Sequence, residues 1–168
     1  GAVYAPEGAL RECVVDGNQA RASAYFTLSG IGQAVAEGGG VWTAAGLLRN
    51  CLVAANLAEA TAEGIAGSAA HARGGGLRAD NAQLENCTVV TNRATFASSD
   101  PSFSGGTGGG LHGAAYVLNS ILYFNSAVTG PNFFGDGIYS NCCTAPMPES
   151  GGGNFTGDPL CGSAATGD

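Results

Sequence analysis

The sequence predicts an all-β chain folded as a right-handed parallel β-helix, a solenoid of about four coils with loops projecting from one side. Three observations predict it. A glycine triplet followed by an apolar residue recurs at Gly38–Gly40 before Val41, at Gly74–Gly76 before Leu77 and at Gly108–Gly110 before Leu111, with Val3 in the same place at the start. A second block follows each: Leu10 to Cys13, Leu48 to Cys51, Leu84 to Cys87 and Val117 to Ser120. The interval from Cys13 to Cys51, Cys87 and Ser120 shortens from 38 to 36 to 33 residues. Constant strands joined by a loop of varying length produce that drift, and self-similarity at such a period is the signature of a stacked repeat.

The consensus reads G-G-G-φ-x … L-x-N-C-x-V-x-x-N-x-A, with φ apolar. Its blocks are too short and too glycine-punctuated for amphipathic helices, where each Gly costs about 1 kcal/mol relative to Ala. In a solenoid each consensus position becomes a column, with rungs about 4.8 Å apart. Leu10, Leu48, Leu84 and Val117 form an inward aliphatic column, and Cys13, Cys51, Cys87 and Ser120 a second. Val15, Val53, Val89 and Leu122 form a third on the same face. Each buried aliphatic side chain is worth roughly 1.5–3 kcal/mol.

Asn18, Asn56, Asn92 and Asn125 sit where the chain turns a corner. Asn tolerates the left-handed region, and stacked amides hydrogen-bond along the axis. Asn50, Asn86 and Asn119 make a second ladder, broken at Glu12. The glycine triplets let the chain re-enter the first strand. The variable segments 21–37, 57–73 and 93–107 each carry a short third strand and a projecting loop. Residues 1–130 are read as coils, and 131–168 as an irregular C-terminal coil or capping segment.

Composition limits the partners. The 168 residues include 29 glycines, no lysine and only 11% charged residues, with a net charge of −7. Low charge with 45% hydrophobic residues is not a disordered composition. The six arginines form no cluster, which excludes nucleic acid and an anionic membrane surface as expected partners. No apolar run approaches the roughly 18–20 residues of a membrane span. Gly1 falls within a repeat, so the chain reads as a fragment or a mature product.

The interior cysteines read as buried thiols acting as small hydrophobes. Cys142 and Cys143 lie in the C-terminal segment, where a bridge from either to Cys161 fits an oxidising compartment. No Cys-x-x-Cys pair marks a zinc site, and no cofactor is expected.

The candidate ligand-binding residues are Tyr4, Trp42, Arg78 and His112. Each follows an inward apolar residue and so faces outward. Aromatic and cationic side chains in one column can stack on sugar rings and hold acidic groups. His71 reads as a solvated loop histidine. The acids Glu12, Asp16, Asp80, Glu85, Asp100, Asp136 and Asp158 are scattered, and no two share a column in adjacent coils. Glu85 aligns with Arg11 and Arg49 as a solvent-facing column. Two glycosylation sequons begin at Asn86 and Asn154; Asn86 is expected to be poorly accessible in its ladder.

The repeat resembles those of right-handed parallel β-helix proteins of bacterial surfaces, and is similar to polymorphic outer-membrane autotransporter passengers. Residues 119–125, 139–146 and 153–160 look like the final coils of large anchored secreted β-helix proteins. The resemblance implies a secreted or cell-surface location and a non-catalytic structural or adhesive segment. The partner it implies is a polysaccharide or a host or cell-surface glycan. The alternative is a carbohydrate-active β-helix, lyase or hydrolase, with catalytic residues in loops or outside this stretch. Open solenoid ends also allow end-to-end self-association, against which the stretch from Pro146 to Leu160 would be a cap.

Overall fold

A computed structural model of the chain describes residues 3–26, 32–64 and 67–159. Its strands stack into five parallel sheets. The first contains Val3–Tyr4, Val41–Thr43, Leu77–Ala79, Leu111–His112 and Phe133–Phe134. The second contains Ala9–Arg11, Leu47–Arg49, Ala82–Glu85, Ala115–Leu118 and Ile138–Ser140. The third contains Val14–Asp16, Leu52–Ala54, Thr88–Val90, Ile121–Tyr123 and Cys143–Thr144. Gln19–Phe26, Leu57–Gly64 and Arg93–Ser98 form the fourth, and Gln33–Glu37, Ala69–Arg73 and Gly105–Thr107 the fifth. The chain is therefore a parallel β-solenoid of about three complete turns. Two abbreviated turns follow; in the first, single bridges at Ser126 and Thr129 stand in for the fourth and fifth sheets.

The variable segments depart from expectation. Each contributes two strands where one was expected, because alanine alternates along them. Ala58, Ala60 and Ala62 of the fourth sheet are fully buried with Ala70 and Ala72 of the fifth, in a core separate from the main one. Side chains this small let two sheets approach closely. The main core stacks Val41, Leu77 and Leu111, then Leu48, Leu84 and Val117, then Val53, Val89 and Leu122, in the expected register. Tyr139 extends the second of these columns.

The corners also differ from the sequence reading. The left-handed conformation beside the first Asn column is taken by the preceding residue: Gly17, Ala55, Thr91 or Phe124, at φ 52–65°. The buried asparagines instead build the ladder, and Asn56, Asn92 and Asn125 also donate to the Val15, Val53 and Val89 carbonyls. The Asn92 Oδ1 accepts from the Asn56 backbone and side chain, both at 2.9 Å, and its Nδ2 donates to the Asn125 Oδ1 at 3.0 Å. Asn132 adds a further rung only seven residues after Asn125, because the shortened turn omits two sheets. It is the second column, Glu12, Asn50, Asn86, Asn119 and Asn141, that is left-handed, at φ 51–54°. There Asn86 donates to Asn50 at 3.2 Å and Asn141 to Asn119 at 3.3 Å. Asn86 is exposed, contrary to expectation.

The triplets are needed for two distinct reasons. Gly38, Gly74 and Gly108 take φ of 59–65°, which glycine adopts without penalty. Gly39 and Gly75 have no room: a Cβ on Gly75 would fall 2.4 Å from the Arg93 backbone.

Regular rungs continue through Phe133–Phe134, Ile138–Ser140 and Cys143–Thr144, inside the stretch read as irregular. Cys142 joins the cysteine column, its Sγ donating to the Val117 carbonyl at 3.4 Å. Residues 145–159 then run along the last turn, where Ser150, Gly152 and Phe155 accept backbone hydrogen bonds from Tyr139, Asn141 and Thr144. Cys161, and with it the expected bridge, lies outside the described residues.

Candidate functional site

The first sheet places Tyr4, Trp42, Arg78 and His112 in one column, with Phe134 as a fifth rung. Their neighbours Val41, Leu77 and Leu111 are wholly buried, so alternation turns the column outward. Tyr4 and Trp42 stack with centroids 4.8 Å apart and planes 23° from parallel. His112 and Phe134 are 5.3 Å apart and tilted by 39°. Tyr4 is 73% exposed and Phe134 39%, whereas Trp42, Arg78 and His112 are partly buried.

What buries them is a column absent from the sequence reading. Glu37 and Arg73 stand immediately before their glycine triplets and pair in register in the fifth sheet. The triplet folds that sheet's end against the first. The Glu37 carboxylate accepts from Arg73 Nη1 at 3.1 Å and lies 3.5 Å from Arg78 Nε. That last contact is an ion pair without hydrogen-bond geometry, because Arg78 Nε has no hydrogen-bond partner. Arg78 Nη1 donates to Asp80. The acids are therefore less scattered than they read: Glu37 and Asp80 converge on one guanidinium.

The electrostatics follow from this packing. Burial raises the Glu37 carboxyl, but the Arg73 hydrogen bond, the Arg78 and Arg73 charges and the neighbouring Trp42 indole outweigh it and bring it below the usual value. Burial, reinforced by the Arg78 and Arg73 charges, pushes His112 down to about 4, so its ring is neutral at pH 7. His112 Nδ1 is buried with no hydrogen-bond partner. Two carboxylates, two guanidiniums and a neutral imidazole make a balanced patch that fixes side chains.

His71 is not in a loop. It lies in the strand Ala69–Arg73, opposite Val35 and Gly105, and burial together with the Arg73 charge lowers its pKa. Glu85 forms a cross-rung ion pair with Arg49, the residue it aligns with. Among the described residues no group of three His, Cys, Asp or Glu side chains could hold a metal ion.

The missed residues left different traces. Glu37 and Arg73 share the position before the triplet, which placed them in a column. Asp80 is two residues from Arg78, a local offset that gave no signal, and Gly113 packs beside Arg78 and the Ala79 carbonyl between them. A Cβ there would fall 2.5 Å from Arg78 Nη1. No family model matches the chain, and no curated protein or solved structure matches it.

Proposed function

We propose that this chain is a non-catalytic structural or adhesive segment of a secreted or cell-surface bacterial protein, a stiff rod whose outward column engages glycans. The observation that carries this reading is the stacked Tyr4–Trp42 pair at the start of the outward column. An aromatic platform held at a fixed angle presents a π face to the C–H groups of a sugar without losing rotamer freedom on binding. The repeat's resemblance to bacterial surface β-helices supplies the expected compartment.

The carbohydrate-active alternative draws on Glu37 and Asp80 beside Arg78, since a lyase or hydrolase needs acids and a basic group together. Against it, both carboxylates are ion-paired and the neighbouring imidazole is a weak base.

One experiment separates the two. The protein is applied to immobilised neutral and acidic glycans and incubated with the same polysaccharides, with and without calcium. Binding that falls at least tenfold in Trp42→Ala, without new reducing or unsaturated ends, supports the adhesive reading. Binding unchanged by Trp42→Ala removes it, and new chain ends establish the enzyme.

A further inference from the structure

We propose that the open-sided pocket at the last turn is a subsite for one uncharged pyranose unit, at the end of the outward column. The assignment rests on the glycan reading above for the class of ligand. The pocket has a volume of about 620 Å³, within the size range of small-molecule sites. It lies between the last rungs of the first two sheets and the returning segment 146–150.

Four features define its chemistry. Phe134 and Tyr116, 39% and 54% exposed, supply ring faces for stacking. The exposed carboxylates of Asp136 and Glu149 lie on opposite chain segments and accept hydrogen bonds from sugar hydroxyls. No Arg, Lys or His lines the pocket, so uronates and other anionic sugars meet two uncompensated negative charges. Tyr139, only 1% exposed, forms part of the wall, and its hydroxyl has no hydrogen-bond partner.

That hydroxyl is wholly covered, so a sugar meets the wall of the pocket and not the phenol oxygen. Gly137 leaves bare backbone over the Tyr139 ring: a Cβ there would fall 2.7 Å from Tyr139 Cε2. Phe134 ties the pocket to the column, because it pairs with His112 as its next rung. A glycan lying along Trp42 and His112 thus ends in the pocket.

The test is titration of the whole chain with methyl glycosides of neutral hexoses and with the matching uronates, followed by protein NMR. The expected result is saturable binding of a neutral glycoside, weaker binding of its uronate, and at least a tenfold loss of affinity in Asp136→Asn. Phe134→Ala, which removes an exposed ring face, is the second variant, and a comparable loss of affinity with the circular dichroism spectrum retained is expected. Affinity unchanged in both variants overturns the subsite. So does saturable calcium binding lost in Asp136→Asn without any sugar binding. Long glycans that bind through Trp42 while no monosaccharide binds overturn the subsite and leave the column. Monosaccharide binding that depends on Asp136, with long-glycan binding indifferent to Trp42→Ala, overturns the column and leaves the subsite.

Discussion

Glu37 accepts from Arg73 across one rung at 3.1 Å and lies 3.5 Å from Arg78 beyond a glycine corner, so a residue that closes one sheet faces the outward column of another. Glu37→Gln keeps an acceptor for Arg73 but loses the charge attraction of Arg73 and Arg78. The partly exposed network limits the cost to about 1 kcal/mol. Trp42 fluorescence and glycan affinity are expected to change less in Glu37→Gln than in Glu37→Ala. Equal effects in the two variants would show that charge, and not the hydrogen-bond acceptor, holds the network beside the ring.

The ladder has an interior and an end. Asn92 is fully buried, and Asn92→Ala leaves the Asn56 backbone N–H and one Nδ2 hydrogen without an acceptor while the Val15 carbonyl keeps the other, for an expected loss of about 3 kcal/mol in denaturant unfolding. Asn18 is only partly buried and occupies the first rung, so Asn18→Ala is expected to lose less than half as much.

The two Asn columns respond oppositely to glycine. Asn86 is exposed and left-handed at φ 52°, so Asn86→Gly is expected to be neutral or stabilising, while Asn86→Ala costs about 1 kcal/mol. Asn92→Gly is expected to be at least as damaging as Asn92→Ala, and thermal melts rank all four variants.

Glycines that look alike in sequence differ in tolerance. Gly75→Ala drives a methyl group into the Arg93 backbone, and a loss of about 3 kcal/mol or failure to fold is expected. Gly105→Ala meets nothing within 4 Å and is expected to leave the melting temperature unchanged or raised. Circular dichroism melts of the two proteins suffice.

His112 makes stability depend on pH. Its folded pKa of about 4 lies below the ordinary value of 6.5, so between the two the unfolded chain binds the additional proton. Stability from this group is complete above about pH 6.5 and is lost as pH falls toward 4. Allowing for the ring's partial exposure, the loss is about 1–2 kcal/mol. Glu37 acts in the same direction at lower pH, since its pKa is also depressed. Urea unfolding between pH 4 and 7 is expected to show this slope, and His112→Gln to flatten it above pH 5.

Cys87 is buried and its thiol is pushed up to about 11 by burial. Iodoacetamide is therefore expected to label Cys87 only at the rate of unfolding, as read by mass spectrometry.

The repeat alone determined the parallel solenoid, its inward columns, the Asn ladder and the membership of the Tyr4–His112 column. These depend on positions that recur at equal offsets from the triplet, and stacking carries sequence register directly into space. The alternating alanines of the fourth and fifth sheets were present to be read, but small residues do not identify a core until a second sheet packs against them. Tertiary structure alone decided which corner residue becomes left-handed, that Glu37 meets Trp42 and Arg78, and that residues 146–150 close over Phe134 and Tyr116. The corner conformation is set by the backbone's path and not by residue type, and the other two juxtapose different repeat positions that only that path brings together.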